Sequence, residues 1–210
     1  FVGPPGTGKT MLAQRFLTIL PTPTHSEGMQ IACIKSLVET HLAPQQLTQR
    51  NLRMPHHTCS AAALVGGGSP PKPGEVSLAH QGVLFLDELA EFSRYVLDSL
   101  REPLQSGEVT ISRAGYQTTY PAQFQLIAAL NPSPCGQFDG TLESCRSTPD
   151  QILKYLNKLS GPLLDRIDLQ VEVPRETQSL RALDAQHKPT PQSPQIRNQV
   201  AACHVKQRER

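Results

Sequence analysis

Near its start the chain carries Gly3-Pro4-Pro5-Gly6-Thr7-Gly8-Lys9-Thr10, which fills every fixed position of the pattern G-x-x-x-x-G-K-[ST]. Glycines there reach backbone angles that turn successive N–H groups toward one point, and the helix that begins at the loop adds its positive dipole end. A polyphosphate fits such a nest. Lys9 then reaches the β- and γ-phosphates, and the Thr10 hydroxyl suits a Mg²⁺ that accompanies a nucleoside triphosphate. The plain alternative, a Gly-Pro turn opening a helix, does not explain why every fixed position is filled.

Asp87-Glu88 follow the apolar run Val83-Leu84-Phe85-Leu86. Continuous apolar residues mark a strand buried on both faces, and acids after it lie at the carboxyl edge of a parallel sheet. There Asp87 suits Mg²⁺ through its water shell, and Glu88 suits a proton acceptor for an attacking water. A solvated strand end is the other reading of the dipeptide. Asn131 closes another apolar strand, 124–130, and its amide either senses the γ-phosphate or initiates a turn before Pro132. Arg166, between Asp165 and Asp168, either forms an ion pair on a turn or reaches the γ-phosphate of a neighbouring subunit.

The elements that must position these groups follow from periodicity. Leu12, Phe16, Ile19 and Leu20 share one face of a helix over 10–20, ended by Pro21. A second helical pattern covers 31–42, and a loop rich in Gly and Pro covers 55–74. A helix over 92–105 stops near Gly107, and strands at 108–113 and 117–120 join through Ala114-Gly115 as a hairpin. A helix over 148–160 turns Ile152, Leu153, Leu156 and Leu159 inward, and 167–173 closes the sheet. The reading is an α/β domain over 1–174, with a parallel sheet flanked by helices. Residues 175–210 are read as a linker, including 188–194, and the opening of a helical lid.

Composition agrees. The 210 residues are 38% hydrophobic, enough for one core, and a net charge of +2 neither demands nor excludes nucleic acid. Apolar runs are too short for a transmembrane helix, no export signal opens the chain, and five scattered cysteines suit a reducing compartment. A cytoplasmic protein with no membrane partner is expected. The chain starts at Phe1-Val2, almost inside the phosphate loop, so its first strand reads as truncated.

Longer segments point to a family. His56-His57-Thr58-Cys59-Ser60, Leu64-Val65-Gly66-Gly67-Gly68, Pro73-Gly74-Glu75-Val76-Ser77-Leu78-Ala79-His80, the Asp87-Glu88 strand, the run ending Arg113-Ala114-Gly115 and Ser160-Gly161-Pro162-Leu163-Leu164-Asp165-Arg166 resemble the Mg-chelatase-like ComM family. The resemblance runs from Gly3 to about Pro174. It implies a P-loop AAA+ core with an insertion in its second helix around 56–74 and a hairpin before the sensor strand. It also implies ATP and Mg²⁺ as ligands, Arg166 as an arginine finger, and self-association into a hexameric ring. Such a ring would work in DNA branch migration during natural transformation, with Arg113 at the hairpin tip on DNA phosphates. An exposed hairpin arginine with no ligand is the alternative for Arg113.

Three departures bear on the transfer. The family's N-terminal Lon-protease-like domain is not in this sequence, nor is most of its C-terminal lid with a second sensor arginine. Many relatives carry Cys-Pro-Cys-Gly and a later Cys-x-Cys, where this chain has Ser133-Pro134-Cys135-Gly136 and Cys145-Arg146-Ser147, a set poorly suited to structural zinc. Two other functions therefore stand beside the DNA motor: a protein-remodelling ATPase like the magnesium chelatase subunit, and an inactive gene fragment.

Overall fold

The computed structural model describes residues 1–39, 41, 48–113, 115–137, 145–175 and 193–209, with the side chains of Arg113 and Arg208 outside that set. Leu42, Ala114 and residues 188–192, on which expectations were placed above, also lie outside it.

The central sheet is parallel. Strand β1 (Leu52–Arg53) pairs with β4 (Val83–Leu86), and β4 pairs with β7 (Gln125–Ala128). Val2 extends the order by bridging Leu130 on one side and Glu172 on the other. Its N–H donates to Val171 O at 2.9 Å, and Val173 N–H donates to Val2 O at 2.8 Å. The expected closing strand 167–173 is thus reduced to pairing at its last residues. The short stub before the phosphate loop is nonetheless held on both edges: Gly3 N–H donates to Leu130 O at 3.1 Å, and the Phe1 amino group to Ala128 O at 2.7 Å.

Strand β4 divides the core because its side chains alternate between faces. Val83 and Phe85 pack with Ala13, Ile127 and Ala129 beneath helix α1 (Lys9–Ile19). Leu84 and Leu86 face a larger cluster that includes Leu64, Val76, Phe92, Leu97, Leu100 and Leu163. All four β4 residues are fully buried, as a strand covered by helices on both faces requires. Helix α1 differs from the pattern drawn above: Ala13 is buried and Phe16 and Leu20 pack inward, but Leu12 is 42% exposed.

Helix α2 (His25–Ser36) starts at a capping box in which Thr24 Oγ1 accepts from the Glu27 N–H and Glu27 accepts from the Thr24 N–H. It ends earlier than expected, leaving Leu37 and Val38 exposed. Segment 55–74 is more ordered than a loop. It forms α3 (Ala61–Val65), capped by Ser60, and the pair β2 (Gly66–Gly67) and β3 (Lys72–Pro73), before α4 (Glu75–Leu78). Gly66 has φ 110°, and a Cβ there would lie 2.6 Å from Ile111 Cδ1 and 2.7 Å from Lys72 O. Glycine composition therefore marks close packing here.

The single helix expected over 92–105 is a 3₁₀ turn (Leu89–Glu91), α5 (Arg94–Asp98) and α6 (Arg101–Ser106). Pro103 has no N–H to donate to the Ser99 carbonyl, which explains the break between α5 and α6. Strands β5 (Glu108–Arg113) and β6 (Tyr116–Pro121) form the expected antiparallel hairpin, with Arg113 opposite Tyr116. Helix α7 (Pro149–Leu156) has a Thr148–Gln151 capping box, but its inward face is Ile152 and Tyr155, continued by Leu159. Leu153 and Leu156 are exposed, because the spacing 152, 155, 159 describes the buried stripe better. After α8 (Gly161–Leu164), helix α9 (Ser193–Arg208) lies against α1, where Arg197 donates twice to Thr18 O. Among the described residues no helix is long and apolar enough to cross a membrane.

Candidate nucleotide site

The phosphate loop leads straight into α1, and two of its glycines hold left-handed backbone: Gly6 at φ 80° and Gly8 at φ 84°. A Cβ on Gly6 would meet nothing within 4 Å, so its glycine is required by the backbone angle and not by crowding. Gly3 is the opposite case. A Cβ there would collide with Val173 O, which ties the start of the loop to the segment after Arg166.

Lys9 is 8% exposed, and its ammonium donates to Gly3 O at 2.7 Å, Pro4 O at 2.8 Å and Asn131 Oδ1 at 3.1 Å. Burial lowers its pKa, and the nearby Asp87 carboxylate opposes that shift. Thr10 Oγ1 donates to Asp87 Oδ2 at 2.7 Å, so the two residues read as Mg²⁺ partners share one place. Thr7 Oγ1 donates to Pro4 O within the loop. Residues separated by more than a hundred positions, Lys9 and Asn131, therefore meet because β4, β7 and the stub at Val2 are parallel and end at one edge.

Glu88 is exposed and takes φ 52°, ψ 51°, a left-handed conformation that a side chain with a Cβ adopts at a cost. Asp87 Oδ1 accepts from its N–H at 3.0 Å. Its carboxylate lies 3.3 Å from His57 Nδ1, and His57 in turn stacks near His56 and meets Phe92 edge-on. Sequence reasoning missed this pairing by treating the histidines as loop residues. The available signal was topological: β1 neighbours β4 in parallel, so the chain leaving β1 emerges beside Asp87-Glu88.

Tyr155 was missed for a different reason, since it was placed off the inward face of its helix. It is buried, and burial together with Glu91 and Glu88 pushes its phenol up to about 12, against a hydrogen bond from the Asn131 backbone. Asn131 is thus braced from behind while its side chain bonds Lys9.

Arg166 is placed away from this cluster. Its guanidinium donates to Pro162 O and to Gln105 Oε1, both at 2.8 Å, and its buried Nε has no partner among the described residues. Among the described residues it makes no ion pair, so Asp165 and Asp168 do not hold it. It lines a cleft of about 460 Å³ with Arg101, Gln105, Val109 and Ser112, a cleft containing no phosphate-loop residue. Arg113 lies on the hairpin beside that cleft, with its side chain outside the described residues.

Loop, sheet edge and acidic strand end together fit a nucleoside triphosphate with Mg²⁺: an open glycine cradle, one buried ammonium, and a hydroxyl–carboxylate pair for the cation. The fold and this constellation define a P-loop domain of the AAA+ class. A family profile described as "Magnesium chelatase, subunit ChlI" matches residues 1–180. The chain belongs to that family, an AAA+ ATPase class. It is 58% identical over 174 residues to "Competence protein ComM" of Haemophilus influenzae, covering 83% of this chain and 34% of that protein. It is 49% identical over 209 residues to an uncharacterized protein, YifB, of Salmonella typhimurium, covering 100% of this chain and 40% of that one. A magnesium-chelatase 38 kDa subunit of Acidiphilium rubrum is 25% identical over 197 residues, covering 83% and 50%. The chain spans about a third to two fifths of the length of the two more similar relatives.

Proposed function

We propose that this chain is the ATP-hydrolysing motor domain of a ring-forming protein that acts on DNA. The observation that carries the ATP reading is the convergence of Lys9, Asn131, Thr10 and Asp87 through direct hydrogen bonds at one sheet edge. The backbone N–H groups of Gly6 to Thr10 cradle the phosphates, and Lys9 exchanges two loop carbonyls for phosphate oxygens. Thr10 and Asp87 would hold Mg²⁺, which would neutralise charge developing on the phosphates. Glu88 takes the proton of the attacking water once it turns from His57, and Asn131 orients that water or the γ-phosphate. Arg166 serves the site of an adjacent copy, which accounts for its absence from its own.

DNA as substrate is supported by the similarity to a protein named for competence, and by the hairpin that carries Arg113. Branch migration by a hexamer in the cytoplasm is the specific form proposed. The similarity to a magnesium-chelatase subunit favours a second reading, in which the motor remodels a protein partner. Hydrolysis of ATP by the protein, with and without branched DNA, separates them. Stimulation by DNA that requires both Glu88 and Arg113 supports the DNA motor. Glu88-dependent hydrolysis indifferent to DNA moves the reading to protein remodelling, and no hydrolysis at all removes the motor.

A further inference from the structure

The turn that follows Asn131 gathers two thiols and two hydroxyls. Cys135 Sγ lies 3.0 Å from Cys145 Sγ and 3.3 Å from Ser133 Oγ, and Cys145 Sγ lies 3.7 Å from the same hydroxyl. The Ser147 side chain and the Gln137 backbone complete the shell around Cys135. Ser133 is fully buried, while both cysteines are free thiols with partial access to solvent. Of the remaining cysteines, Cys33 is on α2, Cys203 on α9 and Cys59 just ahead of α3.

Hydrogen bonds from Ser133 first, then from Cys145, Gln137 and Ser147, lower the Cys135 thiol to about 5. It is a thiolate at neutral pH, the form that attacks sulfur, and a second thiol touches it. We propose that Cys135 and Cys145 form a redox modification site, a dithiol that low-molecular-weight disulfides oxidise to an intramolecular disulfide and that thiols reopen. In the first step the Cys135 thiolate attacks RSSR, forming Cys135–S–SR and releasing RS⁻. In the second, Cys145 loses its proton and attacks the Cys135 sulfur, expelling a second RS⁻. The protein gives up two electrons and the oxidant becomes two thiols.

The site borders the nucleotide cradle. Gly136, next to Cys135, has φ 72°, and a Cβ on it would lie 2.6 Å from Pro5 Cδ of the phosphate loop. Closing the sulfur contact to a bond length of about 2.05 Å draws Cys135 inward and shifts a turn with no slack against Pro5. Oxidation therefore weakens nucleotide binding, by about fivefold or more; this second effect rests on the phosphate-loop reading.

The test incubates the protein with oxidised glutathione, blocks remaining thiols with iodoacetamide and maps the peptides by mass. The expected product is a disulfide joining the peptides of Cys135 and Cys145, two hydrogens lighter than the dithiol, with Cys145→Ser trapping glutathione on Cys135. Both cysteines recovered in alkylated form, or linked to other cysteines, overturn the proposal. At pH 6, alkylation of Cys135 in reduced protein is expected to outpace that of N-acetylcysteine by about tenfold, thiolate fraction outweighing reduced nucleophilicity. An equal rate overturns the role of Cys135 as attacking group. A fluorescent ATP analogue is then titrated against both redox forms. Equal Kd values overturn the coupling alone, whereas no binding by either form overturns the phosphate-loop reading and leaves the mapped disulfide standing.

Discussion

Lys9 reaches oxygens on the loop and on Asn131, just past β7, and Thr10 bonds the acid that follows β4, so this cluster is assembled from within one chain. Arg166 has as large a charge and a comparable set of donors, yet it bonds a carbonyl four residues away and an amide side chain on α6, with Nε left over. The first arrangement is tied into the sheet, and moving any member disturbs several strands. The second is held by two bonds, each worth about 1.5–3 kcal/mol where one partner is charged, so a better acceptor can draw it away. Under the proposed function, the loosely held Arg166 is the cation that an adjacent copy's site would draw in.

The sharpest way to break this contrast is Arg166→Ala. Hydrolysis is expected to fall by about 10³-fold or more at concentrations where copies associate, with nucleotide affinity of the dilute protein unchanged. Loss of affinity in dilute protein would place Arg166 in its own site and end the contrast. Glu88→Gln tests the within-chain half: steady-state turnover should drop by about 10²–10⁴-fold while a fluorescent nucleotide still binds. Phe85→Ala asks whether the sheet beneath the site is its frame. It should lower unfolding free energy in urea by about 3–5 kcal/mol, whereas loss of the exposed Tyr95 ring should change it little.

The smallest effect concerns His80, which links α2 to the segment leading into β7. Its Nδ1 accepts from the Gln123 N–H, so Nε2 carries the proton and donates to Gln30 Oε1. Burial lowers its pKa, with Glu27 opposing. The unfolded chain takes up a second imidazole proton more readily than the folded one, so stability is full above about 6.5 and declines as pH falls below it. His80→Gln should flatten that part of a stability–pH profile measured by denaturant titration.

The phosphate loop and the acidic strand were legible in the sequence because each is a local pattern, glycines at fixed offsets and an unbroken apolar run before two acids. Long-range meetings were less so. Lys9 with Asn131 required the strand order, and His57 with Glu88 required knowing that β1 lies beside β4. Segment 55–74 was read as loop because its glycines and prolines signal turns, yet Gly66 is there to let a strand approach Ile111 and Lys72 closely. On α7 the apolar leucines outweighed Tyr155, whose hydroxyl hid a buried role. Pro103 was a break visible in the sequence and passed over in the reading of one helix.

The contact between Gly3 and Val173 ties the phosphate loop to the segment that carries Arg166. Val173 O fills the space a side chain on Gly3 would need, and Val2 and Val173 are hydrogen-bonded. From Arg166 to that contact the chain runs through at most roughly 25 Å of backbone. In the proposed ring, a strain applied to Arg166 by a neighbour's nucleotide would have little length in which to dissipate before reaching this chain's own phosphate loop, and the segment would work as a pull-cord between successive sites.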